Sequence, residues 1–83
     1  MKKLKFAIIQ SGYCVFGAGE TEDEACIDAI EWLDGIESID EVSALLESLD
    51  GDIHMLDHEN EDFDAYMENQ GCFSKINGSW YLD

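Results

Sequence analysis

The charge distribution is the feature that most constrains this chain. Between Phe6 and Ser74 there are 19 acidic residues and no Lys or Arg, and the formal net charge is −16. Glu–Lys pairs, which commonly stabilise exposed helices, are therefore absent from this region, and like-charge repulsion opposes a compact state. The stability of any fold of this chain must therefore come from helix caps and apolar burial. Because solubility needs a net charge of only about 2 to 8 in magnitude, the excess requires a functional explanation.

A single domain is expected from 83 residues that include no Pro and no Ser/Gly-rich linker. Hydrophobic residues make up 46% of the chain, which is typical of a globular domain and too high for a disordered acidic tail. The first apolar run is too short for a signal peptide, and no segment approaches the roughly 18 apolar residues of a membrane span. Three Cys and no secretion signal favour reduced thiols. We therefore expect a cytoplasmic protein.

Turn signals and short apolar runs predict two hairpins and an isolated strand. Ser11-Gly12 is a turn signal, and Asn77-Gly78 is the strongest short hairpin signal in the chain. The strands are expected at residues 3–10, 13–18, 52–56, 72–76 and 79–82.

Three helices are expected between these strands. Thr21 with Glu24, and Ser38 with Glu41, each form the capping box that begins a helix. A third helix is expected further along the chain, with Asp57 or Asn60 as its N-cap residue. Gly residues that suit the left-handed position after a helix stand at 35, 51 and 71.

The order of elements is therefore ββααβαββ, which predicts an α+β fold: a small, mainly antiparallel sheet with helices on one face. The large aromatic side chains, Trp32 among them, are expected in the core because a small domain needs their area. The expected core comprises Phe6, Ile8, Val15, Ile30, Leu33, Val42, Leu46, Phe63, Met67 and Trp80.

Acidic side chains at helical spacing form the candidate binding site. Residues three or four apart on a helix are neighbours, so like charges there are slightly destabilising and need a reason. The first helix and its ends contribute Glu20, Glu22, Asp23, Glu24, Asp28, Glu31 and Asp34. The third helix and the residues before it contribute Glu59, Glu61, Asp62, Asp64 and Glu68.

A rigid surface of spaced carboxylates can occupy a Lys/Arg-lined groove that was built for nucleic acid, since duplex DNA carries one negative charge per about 1.7 Å of its axis. Such binding would be electrostatically steered and sensitive to salt. Two alternatives remain open. The charges can form an ordinary solvated face, in part favoured by the helix dipole near N-termini, or they can reflect adaptation to high salt.

Other kinds of site find little support in the sequence. His54 and His58 are four apart, but no two Cys stand close enough for a finger-type zinc site. The acidic segment from Gly51 lacks the spacing of a calcium loop. No basic neighbour would activate a thiol, and Gly17–Gly19 is too short for a phosphate loop. We expect no enzyme activity, no cofactor and no metal site.

The segment "GYCVFGAGETEDEACIDAIEWL" resembles the strand–turn–helix of HicB-type antitoxins, through Gly17, Gly19, Thr21, Glu24 and Ala25. The similarity covers about a quarter of the chain, and the DNA-binding segment of that family has no visible counterpart. It implies an antitoxin-like or regulatory domain that binds a protein.

In size and charge the whole chain is similar to small acidic phage and mobile-element proteins that block bacterial defence, the DNA-mimic anti-restriction proteins and several anti-CRISPR proteins. This resemblance has no specific motif. It implies a partner with a basic nucleic-acid-binding surface, such as a CRISPR effector or restriction complex, in a bacterial cytoplasm. We therefore predict a non-enzymatic, anti-CRISPR-like inhibitor that binds neither nucleic acid nor membrane directly.

Overall fold

The computed structural model describes residues 2–12, 14–48, 52–70 and 73–82. Its elements are β1 (Lys2–Leu4), β2 (Phe6–Gln10), β3 (Cys14–Gly19), α1 (Glu22–Ile30), α2 (Ile39–Ser48), β4 (Ile53–Asp57), α3 (Phe63–Gln70), β5 (Phe73–Ile76) and β6 (Ser79–Leu82). The α+β class and the predicted order are confirmed, with the first strand divided in two at Lys5. Tyr13, Leu49, Gly51, Gly71 and Cys72, which the sequence assigned to strands, a helix or caps, lie outside the described residues.

The strands form two antiparallel sheets of three strands each. The central sheet has the order β3-β2-β4, and the outer sheet has the order β1-β6-β5. Lys5 stands where the chain passes from one sheet to the other: its N–H donates to the carbonyl of Gly19, and its carbonyl accepts from the N–H of His58. The single predicted sheet is thus two sheets joined by one nearly continuous segment.

Both faces of the central sheet are covered, because β2 is apolar on both sides. Ala7, Ile8 and Ile9 are all buried, and successive side chains of a strand point to opposite faces. Ile8 packs with the buried side chains of α1 and α2. Ala7 and Ile9 pack with α3 and the outer sheet. The structure therefore departs from the prediction of helices on one face, since α3 lies on the face opposite α1 and α2.

The predicted core residues all pack in one of these two clusters. Six are buried, namely Ile8, Val15, Val42, Phe63, Met67 and Trp80. Four are partly buried against the cluster under α1 and α2, namely Phe6, Ile30, Leu33 and Leu46.

The second predicted hairpin turn is confirmed in detail. Asn77 has φ 51° and Gly78 has φ 82°, and these two residues connect β5 to β6. Positive φ at both central residues is what a two-residue type I′ turn requires, and Asn-Gly adopts it at the lowest steric cost.

Candidate protein-binding surface

Helix α1 is held at its start by the predicted cap. The backbone N–H of Glu24 donates to the hydroxyl of Thr21 at 3.1 Å, and the Glu24 carboxylate accepts from the N–H of Glu20 at 2.9 Å. The second box is built in the same way, with Ser38 accepting from the N–H of Glu41 and the Glu41 carboxylate accepting from the N–H of Glu37. The bonds from Glu24 and Glu41 satisfy N–H groups that a helix start leaves without an intrahelical partner, and the two carboxylates bind the residue before each cap.

Close packing on β3 fixes the position of α1. A Cβ atom added at Gly17 would lie 2.5 Å from the backbone nitrogen of Ala29 and 2.6 Å from the carbonyl oxygen of Ala25. Gly19 makes a similar approach to Glu24. The "GAG" segment therefore serves helix–strand contact, and the carboxylates of α1 are carried on a rigid element.

The acidic row predicted on α1 is shorter than the spacing suggested. The helix ends at Ile30, so Glu31 is its C-cap residue and Asp34 lies in the following turn. There the N–H groups of Trp32 and Leu33 both donate to the carbonyl of Ala29. Glu22, Asp23, Glu31 and Asp34 are exposed, but only the first two lie within the helix.

Two central members of the row are engaged inside the protein. The Oδ2 atom of Asp28 accepts from the backbone N–H of Ala18 at 3.0 Å, and the Asp28 side chain is half-buried. Glu24, also half-buried, caps the start of α1. These two carboxylates therefore stabilise the packing of α1 on β3, and their availability to a partner is reduced.

Helix α2 and the turn before it extend the charged surface. Glu37, Asp40, Glu41 and Glu47 are exposed, and α2 packs beside α1 over the same face of the central sheet. We use the name acidic helical face for eight exposed residues, Glu22, Asp23, Glu31, Asp34, Glu37, Asp40, Glu41 and Glu47. The stretch that carries them, residues 22–48, contains no Lys or Arg.

The acidic residues predicted for the third helix form a separate group. Glu59, Glu61 and Asp62 precede α3, which begins at Phe63, while Asp64 and Glu68 lie within it; all five are exposed. The turn before α3 is held by Asp57, whose Oδ1 accepts from the N–H groups of Glu59 and Asn60, and by Asn60, whose Oδ1 accepts from the N–H of Asp62. Because α3 lies on the opposite face of the central sheet, this group does not extend the acidic helical face.

Asp64 is neutralised by a lysine. Its Oδ2 lies 2.9 Å from Lys75 Nζ, and its Oδ1 accepts from the indole N–H of Trp80 at 2.7 Å. The hydrogen bond from Lys75, followed by that from Trp80, lowers the pKa of the Asp64 carboxyl. Asp64 therefore ties α3 to the outer sheet and is a poor candidate for partner contact.

The described lysine side chains lie on the side of the outer sheet. Lys3 and Lys5 line a cavity of about 230 Å³ together with His58 and Asp64, and Lys75 lies over the ring of Trp80 at 5.8 Å. Positive charge is thus collected near α3 and the outer sheet, while the face formed by α1 and α2 is entirely anionic.

An apolar groove adjoins the acidic helical face, and the sequence did not predict it. The groove has a volume of about 470 Å³ and is lined by residues 14–17 of β3, by Asp28, Glu31 and Trp32, and by Phe73 and Leu82. Trp32, expected in the core, is 66% exposed, because α1 ends two residues earlier and the chain turns away. The only sequence signal was its place at the flank of the apolar stripe.

A bulge in β3 shapes this groove. Ile8 pairs with Gly17 while Ile9 pairs with Val15, so Phe16 is an extra residue in β3. At the bulge, two residues of β3 oppose a single residue of β2. As a result, the neighbouring residues Phe16 and Gly17 both lie toward α1. Phe16 therefore contributes to the wall of the groove while still packing against the cluster under α1.

Of the two described cysteines, Cys26 does not resemble a reactive thiol. Cys26 is buried, and burial, followed by the charges of Asp23 and Glu22, raises the pKa of its thiol. Cys14 is half-buried at the groove. Among the residues that the structure describes, no group of three or more His, Cys, Asp or Glu is placed to hold a metal ion.

No protein-family model matches this chain, and neither the curated proteins nor the solved structures gave a significant match. In the described part of the chain, no helix has the length and apolar character needed to cross a membrane.

Proposed function

We propose that this protein is a non-enzymatic inhibitor that masks a basic, nucleic-acid-binding surface on a bacterial defence complex, such as a CRISPR effector or a restriction enzyme. The observation that carries the proposal is that the described lysines are separated from the acidic helical face, although carboxylates are exposed on both sides of the central sheet. The acidic helical face presents eight exposed carboxylates, and the described lysine side chains lie on the other side of the central sheet.

The scaffold supports this role because it holds the two helices, which carry five of the eight charges, in place before binding. Both helices begin at capped ends, and α1 contacts β3 through glycines that allow backbone-to-backbone approach. Pre-organised charges avoid the ordering cost that a flexible acidic tail would incur on binding. The group around α3 is excluded from this proposed contact, since it lies on the other face and Asp64 is paired with Lys75.

A regulatory or antitoxin-like protein-binding domain is the second candidate. The exposed indole of Trp32 beside an apolar groove favours it, because large exposed apolar groups rimmed by polar residues mark protein-interaction sites. As salt is raised, an interface centred on that groove would lose less affinity than contact through the acidic helical face, because apolar burial is not screened.

The test measures competition with DNA. Purified CRISPR effector and restriction complexes are loaded with labelled target DNA, and its displacement by the protein is followed at about 50 and about 200 mM salt. We expect displacement from at least one complex, weakened about tenfold or more at the higher salt. Displacement from none of the complexes, or displacement that is independent of salt, would contradict the proposal.

Matched charge variants locate the contact. The first combines Asp34→Asn, Glu37→Gln and Glu47→Gln on the acidic helical face, where none of the three residues lines the apolar groove. Removing the charge of Glu47 from the last turn of α2 also relieves an unfavourable interaction with the helix dipole. We therefore expect this variant to be at least as stable as the parent and to inhibit about tenfold less well.

The control removes the same net charge from the α3 side, through Glu59→Gln, Glu61→Gln and Glu68→Gln. Charges more than a Debye length of about 8 to 10 Å from the contact are largely screened, so inhibition should change by less than about threefold. Equal losses in the two variants would show that net charge matters and that the acidic helical face does not.

A further inference from the structure

The apolar groove, at about 470 Å³, has room for a large side chain. Its walls come from four elements: the bulged part of β3, the end of α1, and Phe73 and Leu82, which are direct cross-strand partners on β5 and β6. Two of its large apolar side chains are exposed, Trp32 at 66% and Leu82 at 42%. An adjoining depression of about 350 Å³, which includes Ile27 at 55% exposure, continues the apolar surface along α1.

The charges at the groove specify the occupant. Among the described side chains, Asp28 and Glu31 are the carboxylates that line it, Glu24 joins them in the adjoining depression, and no Lys lines either one. Asp28 is held in position by the N–H of Ala18, so one negative charge is fixed at the groove before any partner arrives. A second copy of this chain, with a net charge of −16, would be repelled.

We propose that this groove binds a short segment of a partner protein that carries a large apolar or aromatic side chain flanked by Lys or Arg. The apolar side chain enters between Trp32, Phe16 and Leu82, and the flanking cations lie near Asp28 and Glu31. An aromatic residue within a ring of polar contacts is the usual composition of a binding hot spot. The inference does not require polynucleotide mimicry, because the affinity depends on apolar burial in the groove together with its two carboxylates, and only Glu31 is shared with the acidic helical face.

Three synthetic peptides of about ten residues test the inference. The first has Phe and Leu between Lys residues, the second replaces Phe and Leu with Ser, and the third replaces the Lys residues with Glu. Binding is followed by two-dimensional NMR of the labelled protein, in which the indole N–H of Trp32 reports on the groove. We expect the first peptide to shift this signal saturably, together with the amide of Phe73, and the other two to bind about tenfold or more weakly.

Two variants separate this inference from the proposed function. Trp32→Ala should weaken the first peptide about tenfold or more without unfolding the protein, because the side chain is largely exposed. The triple variant of Asp34, Glu37 and Glu47 should change peptide affinity by less than about threefold, since those residues do not line the groove. Loss of DNA displacement in the triple variant with peptide binding retained would leave both conclusions standing independently.

The inference is overturned if the Ser-substituted peptide binds as tightly as the first, because attraction would then come from charge alone. It is also overturned if the Glu-flanked peptide binds equally well, or if the Trp32 signal does not move. Sedimentation of the protein alone supplies a further check. A dimer that Trp32→Ala dissociates would identify the occupant as a second copy and refute the proposed partner chemistry.

Discussion

Gly17→Ala tests the contact that positions α1 and, with it, the carboxylates and Trp32. The added Cβ would lie 2.5, 2.6 and 2.8 Å from Ala29 N, Ala25 O and Ala29 Cα. All three are backbone atoms of one helix, so no side chain can rotate to make room. The φ of Gly17 lies outside the left-handed region. On backbone grounds alone, Ala there would stabilise the protein by about 0.4 to 1 kcal/mol.

The steric clash with α1 destabilises the fold and the loss of glycine flexibility stabilises it, so their sizes decide the net change in the free energy of unfolding. Overpacking a well-filled site costs about 1 to 3 kcal/mol, and contacts with backbone on a fixed helix belong at the upper end. A chain of 83 residues has a total stability of about 4 to 12 kcal/mol at 0.05 to 0.15 kcal/mol per residue. With a cost of about 3 kcal/mol and a gain of about 0.4 to 1 kcal/mol, we expect Gly17→Ala to remove about 2 kcal/mol in net, a substantial fraction of that total.

Urea unfolding followed by circular dichroism measures the change. With a slope of about 1 to 3 kcal/mol/M, the midpoint should fall by roughly 0.7 to 2 M. Gly35→Ala is the matched control, because Gly35 has φ 79° and nothing within 4 Å of an added Cβ, so its cost of about 1 to 2 kcal/mol comes from the backbone alone. A midpoint for Gly17→Ala that is unchanged or raised would refute the close approach of α1 to β3.

The remaining predictions concern two carboxylates that the fold uses internally. Asp28→Ala removes the acceptor for the buried N–H of Ala18 and should cost about 1 to 3 kcal/mol in urea unfolding, whereas Asp28→Asn, which keeps an acceptor oxygen, should cost less. The hydrogen bond from Lys75 lowers the pKa of Asp64 in the folded protein. The carboxylate therefore contributes its full stabilisation above the pKa of the unfolded chain, about 3.9, and this stabilisation is lost as the pH falls through the lower pKa of the folded protein. Between about pH 5 and about pH 3, the urea midpoint of Asp64→Asn should therefore fall less than that of the parent; an equal fall would show that the pair with Lys75 adds nothing.

Local signals in the sequence were sufficient for most of the secondary structure. Thr21 and Ser38 begin helices, and Asn77-Gly78 forms the expected turn, because each signal acts through atoms a few residues apart. The side of the central sheet on which α3 lies depends instead on tertiary packing. The apolar run in β2 carried that information, since a strand buried on both faces needs cover on both.

The candidate surface was predicted less completely for a similar reason. Exposed positions such as Glu22 and Asp34 were correctly assigned to the surface, but spacing alone could not show that Asp28 bonds to β3 or that Asp64 pairs with Lys75. Trp32 was misplaced because helical periodicity was extended past Ile30, where the helix ends. Side-chain acceptors and helix ends are decided by neighbours distant in sequence, which periodicity does not record.

The pairing of β1 with β6 has a consequence for synthesis on the ribosome. Residues 2–4 find their only strand partner in residues 80–82 among the described strands, so they remain unpaired until nearly all of this sequence has emerged. Such non-local pairing slows folding, and Leu4, which is 2% exposed in the finished fold, stays accessible to chaperones in the meantime. A nascent chain stalled before Ser79 should therefore bind a general chaperone that the released protein no longer needs.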